Sequence, residues 1–109
     1  MQYLIRTAVA IALCSAAFVV SVASAANQQE FVQACMDAGD MDRAICECTA
    51  KKAKDELSPL AFDFVVAALK KDDASTRKLR GQMKPMELMP AGMFMANGPA
   101  RCAAEMTQN

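Results

Sequence analysis

Residues 58–73 read SPLAFDFVVAALKKDD, and this stretch decides the fold. Ser58 has a side-chain oxygen that can cap a helix N-terminus, and Pro59 suits the first helical position, where its missing N–H is not needed. The next ten residues, 60–69, contain one polar residue, Asp63. A helix that is apolar on nearly every side is one that other elements surround, and ten residues are too few to cross a bilayer. The stretch therefore predicts a central, buried helix.

Two further helices are predicted before this central one. Asn27 resembles an N-cap for a helix over residues 28–38, and Gly39 stands where that helix ends. A second helix begins after Asp40 or Asp42, with acidic residues first and lysines last, as the helix dipole favours. Its apolar stripe consists of Cys46, Ala50, Ala53 and Leu57.

Proline and glycine interrupt the chain after the central helix. A fourth helix is predicted with Asp73 as its cap and with Leu79 and Met83 turned inward. Beyond it we expect only a short helical turn over residues 85–89 and a last helix over about residues 99–106. Since no stretch alternates polar and apolar residues as a strand does, the sequence predicts an all-α fold, a small disulfide-stapled bundle of four to five short helices.

Residues 1–25 are typical of a secretory signal peptide. Arg6 precedes a long apolar run, which ends in the small residues Ala23, Ser24 and Ala25. Cleavage after Ala25 removes the segment together with Cys14. The alternative is an uncleaved anchor, because the run approaches the ~20 residues that span a bilayer, and this would be the only predicted contact with a membrane.

The remaining residues, 26–109, are predicted to form a single domain with a disulfide framework. At this size a core alone gives marginal stability, so covalent links contribute much. The segment has an even number of cysteines, namely Cys35, Cys46, Cys48 and Cys102. Because thiols of exported chains oxidise, all four are expected in disulfides, and the predicted location is the periplasm or the extracellular space.

Cys46 and Cys48 are predicted to bond to different partners. Residues two apart on a helix point about 200° away from each other, so a bond between them would strain the helix. This leaves Cys35–Cys48 with Cys46–Cys102, which we prefer, or Cys35–Cys46 with Cys48–Cys102. A thiol–disulfide redox role for Cys46 and Cys48 is a further alternative, but the spacing is not Cys-x-x-Cys and Glu47 disfavours a thiolate.

A methionine-rich segment, residues 83–95, is the predicted contact surface for a partner. It is apolar, but proline and glycine break it, so we expect it to bury itself poorly. The candidate binding residues are Met83, Met86, Met89, Met93, Phe94 and Met95. The same methionines could instead fill gaps in the core. A Cu(I) site formed by Met86, Met89, Met93 and Met95 is another alternative, because thioethers are soft ligands that select Cu(I).

Composition argues against several other functions. Without Arg6, eleven basic residues face twelve acidic ones, a balance that offers no basic surface for nucleic acid. The chain contains no histidine, so an imidazole base and the usual hydrolytic triads are not available. We expect no cofactor.

Residues 31–59, FVQACMDAGDMDRAICECTAKKAKDELSP, resemble a recurring type of small exported protein of Gram-negative bacteria. These proteins have a helix with one cysteine, a glycine-containing turn, then Cys-x-Cys and a lysine-rich helix that ends in Leu-Ser. The resemblance implies a periplasmic, helical, disulfide-bonded protein, and it transfers no catalytic residue. The sequence as a whole predicts a non-enzymatic exported module that binds a protein or an envelope component.

Overall fold

A computed structural model describes residues 26–39 and 41–108 of the chain. The predicted signal peptide, with Cys14, lies outside the described residues, and so does Asp40. The described residues form five helices and no strand, which confirms the all-α, disulfide-stapled bundle. The helices are α1 Gln28–Ala38, α2 Arg43–Glu56, α3 Pro59–Leu69, α4 Asp73–Gln82 and α5 Pro85–Thr107.

Local capping fixes where the helices begin. The side chain of Asn27 accepts a hydrogen bond from the N–H of Glu30 at 2.8 Å, and Ser58 accepts one from the N–H of Ala61 at 3.2 Å. Helix α4 is capped by Asp72, not by Asp73 as predicted, because Asp72 is the residue whose carboxylate reaches the N–H of Ser75, at 3.1 Å. Each cap satisfies an N–H that the helix leaves without a partner.

The core forms around α3, as its apolar sequence predicts. The ring of Phe31 in α1 is 1% exposed and lies 5.5 Å, between centroids, from the ring of Phe62 in α3. The ring of Phe94 in α5 meets the Phe31 ring edge-on, with 6.5 Å between the two centroids. Three helices therefore meet at one aromatic cluster, whereas α4 buries none of its own residues and packs chiefly against α3.

Helix α5 is continuous from Pro85 to Thr107, so the predicted break into two short helices is wrong. Pro90 and Pro99 lie inside the helix, where each removes one backbone hydrogen bond but does not force the chain to leave the helix. One face is buried along the length of α5, through Ala91, Phe94, Gly98 and Cys102. Packing of this face outweighs the local cost of the two prolines.

The carboxylate of Asp72, which caps α4, is expected to stabilise the fold less at acidic pH. Hydrogen bonds from the side chain and backbone of Ser75 hold the pKa of Asp72 below the ordinary aspartate value of 3.8. A group with a lowered folded-state pKa stabilises the fold above its unfolded pKa, and this stabilisation is lost as the pH falls through the folded value. Asp72→Asn keeps a capping oxygen without the charge. We expect wild type to exceed D72N in urea midpoint at about pH 7 and the difference to shrink as the pH falls below 3.8, and a constant difference would contradict the assignment.

Candidate functional site

Three methionines of α5 stand together on its exposed side. The side chains of Met86, Met89 and Met93 are 85%, 71% and 60% exposed. At about 100° per residue, the three fall within an arc of about 60° on the helix surface. We call this surface the methionine face. It is roughly opposite the buried stripe of α5, and the alternative that these three residues fill the core is wrong.

Two of the predicted binding residues belong to the core instead. Met83 follows α4 and is 8% exposed, and Phe94 is 5% exposed because its ring packs on Phe31. The helical spacing in the sequence already separates the buried residues of α5 from the exposed methionines. Phe94 continues the helical spacing of Ala91, Gly98 and Cys102, whereas Met86, Met89 and Met93 follow a different stripe.

Met95 is separated from the methionine face. It follows Met86 by nine residues, which places it about 180° around the helix. There it lines a small apolar cavity of about 50 Å³ next to Phe31 and Val65. The four methionines proposed for a Cu(I) site therefore do not share one face, because α5 is a continuous helix and not a loop that could gather them.

A shallow groove runs beside the methionine face. It lies between the C-terminal end of α2 and helix α5, and its volume is about 330 Å³. Its lining combines Leu57, Pro90, Met93 and Phe94 with the polar residues Glu56, Asn97 and Arg101. Along α5 the apolar lining residues come first and Asn97 and Arg101 come last, so the groove is polar at one end.

An ion pair closes the polar end of this groove. One guanidinium nitrogen of Arg101 lies 2.8 Å from each carboxylate oxygen of Glu56. The guanidinium carbon of Arg101 is 6.0 Å from the centre of the Phe94 ring, within the range of a cation–π contact. Arg101 is therefore held in place on two sides and gives the groove a fixed end.

Further contacts hold α5 against α2. The ammonium of Lys52 is 2.8 Å from the carboxylate of Glu105, and the disulfide Cys48–Cys102 joins the two helices covalently, with Cα atoms 6.0 Å apart. Exposed ion pairs contribute little on their own, so the covalent bond is the main attachment. The helix that carries the methionine face is consequently anchored near its C-terminal end.

The second disulfide joins Cys35 of α1 to Cys46 of α2, with Cα atoms 5.7 Å apart. The preferred pairing of Cys35 with Cys48 and Cys46 with Cys102 is wrong, and the other predicted alternative is the one found. Cys35 and Cys46 are both on buried stripes, so they face each other across the interior, with exposures of 1% and 0%. Cys48 lies on the side of α2 that meets α5.

A signal for this pairing was present in the sequence. Cys48, Lys52 and Glu56 are spaced four residues apart, and they form one polar side of α2. Near the C-terminus, Arg101 and Glu105 flank Cys102 and complement the charges of Lys52 and Glu56. The redox alternative needs Cys46 and Cys48 as a pair, and each of them is bonded to a different cysteine.

Neither a metal-binding cluster nor a membrane-spanning helix is found among the described residues. Within residues 26–39 and 41–108, histidine, cysteine and acidic side chains form no group of three that could hold a metal ion. Over the same residues, no helix has the length and apolar character to cross a membrane. The two disulfides are compatible with an oxidising compartment.

Comparisons with known proteins supply no family for the chain. No protein-family model matches it, and no curated protein or solved structure matches it significantly. The resemblance to exported Cys-x-Cys proteins of Gram-negative bacteria stays a prediction.

Proposed function

We propose that the protein is an exported, non-enzymatic helical module that binds another protein or an envelope component through the methionine face. The observation that carries the proposal is the exposure of Met86, Met89 and Met93 on one side of α5. The binding surface is narrower than the one expected from sequence, because Met83 and Phe94 are buried and Met95 faces elsewhere.

Exposed methionines in a row are unusual on a surface that meets only water. Single apolar residues are common on protein surfaces, but contiguous ones mark interaction sites. Methionine is flexible and polarisable, and it is frequent on surfaces that adapt to a partner. Three such side chains along about two turns of helix offer a strip about 10 Å long.

The framework beneath this strip favours binding. Helix α5 is fixed to α2 by the Cys48–Cys102 bond and by the pairs Glu56–Arg101 and Lys52–Glu105. A surface that is already ordered loses less conformational entropy when a partner arrives. The methionines can then adapt their side chains while the backbone stays in place.

The partner best suited to this surface is an apolar helix of another protein. Recognition of an amphipathic helix relies on an apolar strip that accepts residues spaced three and four apart. The adjoining groove, at about 330 Å³, gives room for one anchoring side chain between Leu57 and Met93. Asn97 and Arg101 at its end can orient polar groups of the partner.

The exported location and the lack of catalysis rest on sequence arguments. The segment before Ala26 has the pattern of a cleavable signal, and two disulfides suit the periplasm or the extracellular space. The absence of histidine from the chain removes the commonest acid–base catalyst.

Polar substitution of the methionine face is expected to abolish binding. The triple variant M86Q/M89Q/M93Q keeps side-chain length and helix propensity but removes the apolar surface. The protein would be immobilised and used to enrich envelope proteins, with quantification by mass spectrometry. We expect recovery of the partner to fall at least about tenfold, since three apolar contacts of about 1 kcal/mol each are removed and tenfold requires only about 1.4 kcal/mol. The control M106Q, in the last turns of α5, should bind as wild type does.

A leucine variant separates binding of a protein from binding of copper. M86L/M89L/M93L keeps an apolar face but has no thioether. Docking of a partner predicts that this variant retains most of the binding, whereas a Cu(I) site on the same three residues predicts loss of Cu(I) affinity in an anaerobic titration. Equal partner recovery by the glutamine variant and wild type would contradict the proposal, and so would a wild type that buries the face in a dimer.

A further inference from the structure

Asp63 interrupts the apolar sequence of α3, and the structure gives its carboxylate a distant partner. Oδ1 of Asp63 accepts a hydrogen bond from the backbone N–H of Ala26 at 2.8 Å, although 37 residues separate the two. Asp63 is half-buried. Among residues 26–39 and 41–108, no lysine or arginine forms an ion pair with it. A partly buried carboxylate on the central helix thus has a neutral backbone donor where a cation would serve better.

Basic residues line both grooves that border Ala26 and Asp63. Lys54 lines one groove, and Lys70 and Lys78 line the other. Lys70 is 3.9 Å from the carboxylate of Glu30. The atom that reaches Asp63 is the nitrogen of Ala26, which directly follows the predicted cleavage site.

We propose that Asp63 receives the α-ammonium created when the Ala25–Ala26 peptide bond is hydrolysed. Water supplies a hydroxyl group to the carbonyl carbon of Ala25 and a hydrogen to the nitrogen of Ala26. At neutral pH the products are a carboxylate on the released segment and an ammonium on Ala26. The hydrogen bond from a neutral N–H to the Asp63 carboxylate then becomes an ion pair, and this inference rests on the export part of the proposed function.

An ammonium on Ala26 is unfavourable beside the N-terminus of α1 unless a negative charge lies close to it. Ala26 precedes Asn27, the N-cap of α1, so the new ammonium lies next to the positive end of the helix dipole. A carboxylate within hydrogen-bond distance offsets that repulsion. The ammonium adds the Coulomb attraction between two opposite charges to the hydrogen bond that Asp63 already accepts, and half-burial reduces screening by water. Asp63 therefore contributes more to the stability of the cleaved chain than to that of the uncleaved chain.

A comparison of four proteins tests whether the stabilising effect of Asp63 depends on a free α-ammonium at Ala26. Wild type and Asp63→Asn would be expressed from the full gene, exported and purified, and the N-terminal residue determined by intact mass. Half of each would be acetylated at the α-amine at about pH 6.5, where the more basic lysine side chains react slowly. In urea unfolding, we expect D63N to raise the unfolding equilibrium constant about fivefold more in the free-amine form than in the acetylated form.

The controls make each outcome decisive. Asp55→Asn removes an exposed carboxylate from α2 and should have the same effect in both forms. Acetylation of wild type alone should raise the unfolding constant, and this measurement needs no variant to fold. Equal effects of D63N in both forms, or a mature chain that does not begin at Ala26, would overturn the inference. Neither readout involves the methionine face, so failure here is distinct from failure to bind a partner.

Discussion

Replacing Cys48 and Cys102 together by alanine is expected to lower the free energy of unfolding by about 4 kcal/mol. The bond joins residues 54 apart in sequence, and the entropy that a crosslink removes from the unfolded chain grows with the length of the loop that it closes. Small domains have a total stability of only about 5–15 kcal/mol. The variant should therefore lose at least about a quarter of its total stability, as urea titrations followed by circular dichroism would show.

The matched control is the other disulfide. Cys35 and Cys46 are 11 residues apart, so the same model gives about 3 kcal/mol for C35A/C46A. Both variants remove a bonded pair and leave no free thiol among the four cysteines of residues 26–109. A smaller loss for C48A/C102A than for C35A/C46A would contradict the expected order. Hydrogen exchange should also show faster opening of α5 after Pro99 in C48A/C102A, because that end of the helix loses its covalent attachment to α2.

The first half of the fold could be predicted well from sequence because its signals are local. Ser58, Pro59 and the apolar residues that follow indicate the position of α3 without reference to distant parts of the chain. Asn27 begins α1 in the same way, and α1 ends at Ala38, directly before Gly39, whose backbone is extended. In each case the cap, the helical period and the end of the helix agree with one another, and agreement of local signals makes such a segment predictable.

Helix α5 shows why the second half was harder to predict. Pro90 and Pro99 are strong local signals against a helix, and the sequence offered no measure of the tertiary contacts that oppose them. Those contacts are the burial of Phe94 against Phe31 and the bond from Cys102 to α2. Gly98 reflects the same packing, because a Cβ there would lie 3.0 Å from the Phe94 ring.

The predicted set of binding residues depended on the expectation that α5 is broken at Pro90. While the segment around Pro90 was expected to be irregular, all its methionines could be assigned to one surface or one metal. A continuous helix instead divides them, with Met86 and Met93 on one side and Met95 on another. The sequence identified the right segment, and the helical period then selects the residues that can act together.

Phe31→Ala is expected to destabilise the protein by about 3–5 kcal/mol, the usual cost of removing a buried phenylalanine ring. The ring is 1% exposed and contacts Phe62 and Phe94, so its removal leaves a cavity between α1, α3 and α5 at once. Because a rigid bundle held by two disulfides can collapse around the gap only in part, the cost should fall near the upper end of that range. Thermal and urea unfolding would measure it.

Two controls distinguish the loss of this contact from a general sensitivity to mutation. Phe31→Leu retains most of the apolar volume and should cost about 1–1.5 kcal/mol. Met89→Ala truncates a side chain that is 71% exposed and should change stability by less than about 0.5 kcal/mol. If F31A cost no more than F31L, the aromatic cluster would not be the point where the three helices are joined. If M89A were as damaging as F31A, the methionine face would be supporting the fold, which is incompatible with a surface kept free for a partner.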